Sequence, residues 1–413
     1  MDIRMILIYL SIYFGLFTTV FYFLSYKSYN KLEKLIYTDS ELPKISVVIP
    51  AYNEEKSIER TIESMLESDY PKDKMEIIVV DDGSKDKTYE LAKKHESDRV
   101  RIFTKENGGK GTALNLGIKK SSGEIIFTMD ADTFVAKHSA KEMVRYFKNP
   151  KVMGVAPSML VHKPKNILQR IQQGEYLFGV FIRKAFASVN AIYVAPGAFS
   201  AYRKEFFDKY GGYDTNNITE DLEIALRIQY HGYLIEYSEK STAYTIAPQK
   251  FKDLLIQRRR WYAGLIYNTW NYRKMLGPKY GDLGAFIMPI GWASVLFSIL
   301  AIFYIGYDLI IGIKKELIFL AKVNFDLSNA FSFSWGLIER SIYNFFSNPI
   351  MIFFILLIFA TLLYMRYAVK KVGKASGLLF TLTCYFIFFV PLFGFWWIAT
   401  ALYSLTGKKV SWR

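Results

Sequence analysis

A chain of 413 residues that is 51% hydrophobic and 17% aromatic is too long for one ordinary compact domain and too apolar to be soluble along its whole length. Its single cysteine, Cys384, excludes a disulfide framework and cysteine-based zinc sites, and four histidines leave no His-rich metal site. The net charge of +15 suits anionic lipid or an anionic substrate better than nucleic acid: the basic residues form no zinc-finger or RNA-binding signature, and many flank apolar runs, as Arg366, Lys370, Lys371 and Lys374 do.

The first apolar segment, Ile6 to Phe23, is long enough to span a bilayer and lacks a small-residue cleavage site after it. Residues 1–26 therefore read as a retained transmembrane anchor. Lys27, Lys31 and Lys34 follow at once, and the positive-inside rule places the next residues in the cytoplasm of a multi-pass cell-membrane protein. From 43 to 248, short β-branched runs alternate with amphipathic stretches, which predicts an α/β domain with a mainly parallel sheet. Strands are expected at Ile45 to Ile49, Glu76 to Val80, Val100 to Thr104 and Ile125 to Met129. Helices are expected between them at Asn53 to Ser68, Lys85 to His95 and Lys110 to Lys120. Ligands of such sheets bind beyond the carboxyl ends of the strands, where Pro50-Ala51-Tyr52-Asn53-Glu54, Asp81-Asp82-Gly83-Ser84 and Asp130-Ala131-Asp132 fall.

Two further helices, about Asn166 to Ala187 and Lys250 to Trp270, carry apolar stripes beside Arg170, Arg183, Lys184 and Arg258, Arg259, Arg260. They read either as membrane-interface helices or as ordinary packing helices. Residues 249–284 form an interfacial region, and 285–413 a transmembrane region with spans at Ile287 to Ile313, Ile350 to Tyr367 and Leu378 to Leu405. Four spans leave Lys408, Lys409 and Arg413 outside, against the positive-inside rule. Either the last span, which contains Pro391, is broken or re-entrant, or Phe331 to Phe346 enters the membrane despite Glu339 and Arg340.

Chemistry concentrates at the strand ends. Asp130 and Asp132 bracket one small residue after a buried strand, which suits a hard divalent cation with positions left for phosphate oxygens; an acidic turn is the plainer alternative. In Asp81-Asp82-Gly83-Ser84 a carboxylate can accept from uracil N3 or ribose, or a side chain merely caps the next helix. Lys110, in Asn107-Gly108-Gly109-Lys110-Gly111, opens a helix whose amides and ammonium favour phosphate. This is not a Walker loop, since Thr104 stands where its first glycine belongs and Gly111 replaces the Ser or Thr. Thr219-Glu220-Asp221 precedes a helical run, Leu222 to Tyr230, and offers either a helix cap or a general base. Gln257, Arg260 and Trp261 lie together at i, i+3 and i+4, with a guanidinium for diphosphate and an indole face for a sugar ring, or as part of a basic interfacial face.

Pro50-x-x-Asn53-Glu54, Asp81-Asp82-Gly83-Ser84, Gly109-Lys110, Asp130-x-Asp132, Thr219-Glu220-Asp221 and Gln257-x-x-Arg260-Trp261, in this order over residues 43–270, resemble the family-2 inverting glycosyltransferases. Among these, the chain is similar to the membrane-integrated, often processive synthases of cellulose, chitin, hyaluronan and poly-N-acetylglucosamine. The resemblance implies an α/β GT-A domain with an α-helical transmembrane region and interfacial amphipathic helices, a UDP-sugar donor (UDP-GlcNAc or UDP-Glc), and Mg²⁺ or Mn²⁺. It assigns Ala51, Tyr52, Glu54, Asp81, Asp82 and Lys110 to the donor, with Asp81 and Asp82 at its uridine end. Asp130 and Asp132 fall to metal and diphosphate, and Asp221, beside Glu220, to base catalysis. Gln257, Arg260 and Trp261 fall to acceptor and pyrophosphate, and Gly197, Ala198 and Arg203 to the acceptor terminus. The C-terminal Ser411-Trp412-Arg413 resembles part of a tryptophan-containing gating segment of hyaluronan and chitin synthases. The expected product is a polysaccharide passed through the bilayer by the enzyme's own helices, with room for a small accessory membrane subunit. Single transfer to a membrane lipid or lipid-linked oligosaccharide is the alternative, and a catalytically inert scaffold the reading from another class.

Overall fold

The computed structural model describes residues 3–28, 38–322, 335–336, 338–339, 342–343, 349–373 and 377–406. Lys31, Lys34, Lys374, Lys408, Lys409, Ser411, Trp412, Arg413 and most of Phe331 to Phe346 lie outside them. Eight strands form one sheet: β1 (Ile45–Ala51), β2 (Met75–Asp81), β3 (Val100–Thr104), β4 (Ile125–Met129), β5 (Phe134–Val135), β6 (Val152–Val161), β7 (Phe199–Arg203) and β8 (Leu234–Thr245), in the order β3-β2-β1-β4-β7-β6-β8-β5. The first four run parallel, as expected. The sheet as a whole is mixed, because β7 pairs antiparallel with both β4 and β6 and β5 pairs antiparallel with β8.

Every residue of β1 and β4 is buried, because helices cover both faces. The strand period of two then sorts side chains. Val47, Ile49, Ile77 and Val79 meet α2 (Ile58–Leu66), α3 (Thr88–Lys93) and α5 (Ser139–Val144) on one face. Val48 and Ile126 meet α4 (Lys110–Lys120), α6 (Ile167–Ser188), α7 (Lys204–Tyr210) and α8 (Glu220–Tyr230) on the other. The predicted helix from Asn53 starts only at Ile58, since Asn53 has φ 56° and the loop amides turn to the next strand's turn: Asn53 N donates to Ser84 Oγ at 3.0 Å and Glu54 N to Thr88 Oγ1 at 2.7 Å. The helix expected over Lys85 to His95 likewise shortens to Thr88–Lys93.

Helix α6 begins where Asn166 caps it, accepting from Gln169 N at 2.9 Å. It packs on β6 and β8 with one face and under three apolar helices with the other: α1 (Ile3–Ser28), α11 (Pro349–Val372) and α12 (Leu378–Leu405). Phe181 stacks on Tyr364 at 3.9 Å between ring centroids, and the Tyr364 hydroxyl donates to Thr19 O at 2.8 Å. Helix α9 (Phe251–Asn271) packs against α8 and α12 and leads to α10 (Met288–Lys322). Each of the four expected spans falls on an apolar helix. Among the described residues, Leu283–Lys322 is long and apolar enough to cross a bilayer, and 378–405 makes a second candidate if its two arms form one span. Those arms, Leu378–Phe389 and Leu392–Leu405, meet at 44°.

Helix α4 lies close on β1 because Gly117 has no side chain: a Cβ there would stand 2.2 Å from Val48 Cγ1. Alanine ordinarily favours a helix interior by up to about 1 kcal/mol over glycine. Here the overpacking cost of about 1–3 kcal/mol wins. Gly117→Ala is expected to lower the thermal unfolding midpoint of the purified protein, and a raised midpoint would contradict this packing.

Candidate functional site

The carboxyl ends of β1, β2 and β4 open on one cleft, which the N-termini of α4 and α8 complete. Lys110, the first residue of α4, lies at its centre: Nζ stands 2.7 Å from Asp130 Oδ1 and 2.8 Å from Glu220 Oε1. Burial works against the ammonium, but the carboxylates of Asp130, Glu220 and Asp221 outweigh it and hold Lys110 firmly protonated. Gly197 makes this approach feasible, since a Cβ at that position would lie 2.8 Å from Lys110 Nζ and 3.3 Å from Asp221 Oδ2.

The Asp130-Ala131-Asp132 turn is fixed from two sides. Asp130 N donates to Ala198 O at 3.0 Å, and Thr61 Oγ1, buried on α2, donates to Ala131 O at 2.8 Å. Burial, with the charges of Asp130 and Glu54, pushes Asp132 up to about 7 against the pull of Lys110. Such an excess of desolvated negative charge fits a hard divalent cation. Among the described residues no group of three or more His, Cys, Asp or Glu side chains gathers to hold a metal, so a cation here would complete its shell with phosphate oxygens and water.

Asp221 faces the same cleft. Its Oδ2 accepts from Gly197 N at 3.1 Å and its Oδ1 from Leu222 N at 2.9 Å. Burial and the neighbouring Glu220 raise its pKa above the ordinary carboxylate value, opposed by Lys110, the Gly197 amide and Arg260. Thr219 occupies the cap position of α8 but its hydroxyl makes no capping hydrogen bond; the side chain of the triplet that takes a first-turn amide is Asp221, from Leu222 N.

The other expected residues divide. Asp81 accepts from Thr104 Oγ1 at 3.0 Å and Ser84 N at 3.3 Å, at the end of β2. Asp82 is buried with both oxygens engaged, by Lys105 Nζ at 2.7 Å, Gly108 N at 3.1 Å and Gly109 N at 2.8 Å. It thus pins the glycine loop that delivers Lys110. Ala51 ends β1; Tyr52 and Glu54 follow in the loop, where Glu54 Oε2 accepts from Ser57 Oγ at 2.8 Å. Ala198 precedes β7 beside the cleft. Arg203 does not: antiparallel β7 carries it to the opposite end of the sheet, paired with Ile125, where its guanidinium donates to Phe147 O at 2.7 Å. The expectation of an acceptor contact there is corrected by strand direction, with roughly 14 Å of strand between Arg203 and Phe199 at the cleft end.

The three arginines of α9 also separate. Arg258 is buried in a double hydrogen bond to Glu175 of α6, at 2.6 Å for each arm, and lies 4.6 Å over the Trp261 ring. Arg259 covers the Tyr403 ring at 3.6 Å. Arg260 is the one whose charge reaches Asp221. Sequence reasoning missed Thr61, Glu175, Asn115, Asn217 and Asn268, all of which hold the cleft in place; each works through a partner distant in the chain, and no local pattern marks them.

Residues 46–211 match the family described as glycosyl transferase family 2. The chain is 31% identical over 264 residues to the poly-beta-1,6-N-acetyl-D-glucosamine synthase of Staphylococcus epidermidis, and 33% identical over 262 residues to that of Staphylococcus aureus strain COL. These alignments cover 62% of this chain and 63% of each relative, so the chain spans less than two thirds of the curated relatives it matches. In three dimensions it is similar to the mannosyltransferase PcManGT of Pyrobaculum calidifontis, determined with GDP-Man and Mn²⁺: the TM-score is 0.57 at 20% identity, over 88% of this chain and 98% of that one, a likeness of fold.

Lys110 lowers the pKa of both Asp132 and Asp221. Lys110→Met removes that cation, so both carboxyls hold their protons to higher pH. A base works only when deprotonated, and activity is lost as pH falls through its pKa. The acid limb of the residual kcat/KM profile of Lys110→Met is therefore expected at higher pH than in the wild type; a limb that stays or moves down contradicts this coupling of Lys110 to the two carboxyls.

Proposed function

We propose that the chain, whose residues 46–211 match glycosyl transferase family 2 and whose mixed-sheet fold is like that of a GT-A enzyme, is a membrane-bound inverting hexosyltransferase that adds sugar from a UDP-sugar, UDP-GlcNAc or UDP-Glc, to a growing polysaccharide. The observation that carries this reading is the pairing, across one buried ammonium, of a carboxylate turn suited to a metal-bound diphosphate with a desolvated carboxylate, Asp221, placed as a base. Its similarity to the two synthases favours N-acetylglucosamine as the sugar.

In this reading Asp130 and Asp132 would hold Mg²⁺ or Mn²⁺, which would supply Lewis-acid charge stabilisation to the departing diphosphate. The acceptor hydroxyl oxygen forms the new bond to the anomeric carbon. Asp221 takes the hydroxyl proton, and the bond to the UDP oxygen breaks with its electron pair leaving on UDP. Attack on the face opposite the leaving group inverts the anomeric centre. Arg260 and Gln257 meet the pyrophosphate, and Trp261 offers an apolar face to the acceptor sugar. Glu220 keeps Lys110 beside the base, and Gly197 and Ala198 line the acceptor side.

Residues 1–26 serve as anchor, 43–248 as the cytoplasmic catalytic domain, 249–284 as an interfacial region and 285–413 as the membrane region of a multi-pass cell-membrane protein. The long apolar α10, the bent α12 and the packing of α6 against α1, α11 and α12 support that division. The Gln257 to Trp261 segment and the apolar helices flanking both ends of the domain support processive extension with translocation over single transfer to a lipid.

Purified protein incubated with UDP-GlcNAc or UDP-Glc and Mn²⁺ or Mg²⁺ is expected to release UDP and build long chains, and a chelator to stop both; products of only one or two sugars on a lipid would overturn processivity. Asp221→Asn is expected to bind UDP as the wild type does while losing transfer at least roughly 100-fold, within the range of base catalysis. Unchanged turnover in that variant removes Asp221 from the base role.

A further inference from the structure

Behind the carboxylate cluster lies a polar assembly that the chemistry above does not use. Asn217 and Asn268 face each other as a reciprocal amide pair: Asn217 Nδ2 donates to Asn268 Oδ1 at 2.8 Å, and Asn268 Nδ2 to Asn217 Oδ1 at 3.1 Å. Asn268 Nδ2 also lies 2.9 Å from Thr219 Oγ1 and 3.0 Å from Gly264 O on its own helix. Asn217 Oδ1 accepts in addition from Thr219 N at 3.1 Å. All three polar side chains are buried, Asn268 completely.

What this assembly joins gives it meaning. Thr219 is the residue before α8, whose first two residues are Glu220 and Asp221, and its hydroxyl is turned away from the helix end toward α9. Asn268 sits on α9, about two turns beyond Arg260 and Trp261. Gly264 lets the two elements touch, since a Cβ there would fall 2.2 Å from Thr219 Oγ1. The same loop is held at its other end by α4: Asn115 Oδ1 accepts from Tyr213 N at 2.7 Å, and Asn115 Nδ2 donates to Tyr213 O at 2.9 Å. One short loop is thereby tied to the helix that starts with Lys110 and to the helix that carries Arg260. A buried amide pair has one satisfied register, because sliding α9 by a residue leaves donors and acceptors in a dry site without partners.

We propose that Asn268, paired with Asn217, is a positioning residue that sets the register of α9 against the Thr219-Glu220-Asp221 corner, and so places the acceptor and pyrophosphate contacts of α9 relative to the base. The proposal rests on the transferase reading above and acts through Thr219; neither amide touches substrate. Misplacement of reacting groups by a fraction of an ångström lowers the rate without abolishing binding.

The test uses the full chain in detergent or nanodiscs, with the wild type, Asn268→Ala, Asn217→Ala, the double variant and Gly264→Ala. Turnover, donor KM, UDP affinity and thermal midpoint are measured on each. Each single amide variant is expected to lower kcat roughly tenfold, with donor KM and UDP affinity within about twofold of wild type, and the double variant to fall no further than the singles because they remove one shared pair. Gly264→Ala leaves both amides intact and pushes only on Thr219; it should give the same signature, and it carries the test where Asn268→Ala does not fold. Wild-type turnover in the variants overturns the proposal, as do additive losses in the double variant or a joint fall of kcat, UDP affinity and thermal midpoint, which marks plain support of the fold. An inactive wild type in the same assay sinks the transferase reading and this inference with it, whereas an active wild type beside unaffected variants sinks the inference alone.

Discussion

The ammonium of Lys110 is the constraint around which the cleft is organised. Taking an ion out of water costs several kcal/mol, and the cost is offset here by two carboxylates at hydrogen-bonding distance, Asp130 from the end of β4 and Glu220 from the start of α8. Elements far apart in the chain are therefore locked at one point. The glycine loop before Lys110 is pinned by Asp82, and Gly197 leaves the space the ammonium needs.

One cation does not balance the acidic groups it gathers. Asp132 is pushed up to about 7 and Asp221 above its ordinary range, so the cleft carries an uncompensated demand for positive charge on one side and a readily protonated carboxylate on the other. Lys110 stands between them, 2.7 Å from Asp130 Oδ1 on one side and 2.8 Å from Glu220 Oε1 on the other.

The cleft is coupled to the apolar helices through buried polar contacts as well as packing. Glu175 and Arg258 join α6 to α9, and Tyr367 and Lys371 of α11 bind buried Glu239 on β8. Removing one partner of such a buried pair strands the other charge, so these contacts specify how the apolar helices seat on the sheet.

Local pattern in the sequence determined a good deal. β3, α4 and β4 were legible to the residue, because β-branched runs and glycine-bounded helices are written in neighbouring positions, and the acidic turns were legible because they follow those strands. Tertiary structure alone decided what depends on partners distant in the chain. The antiparallel insertion of β7 carried Arg203 away from the cleft, and contacts from Ser84 and Thr88 turned the predicted start of α2 into a loop. Among three adjacent arginines, packing sent Arg258 to Glu175 and Arg259 to Tyr403, while the charge of Arg260 reaches Asp221. Asn217 and Asn268 carried no signal at all in the sequence, since an amide acquires a role only when the fold buries it against its counterpart.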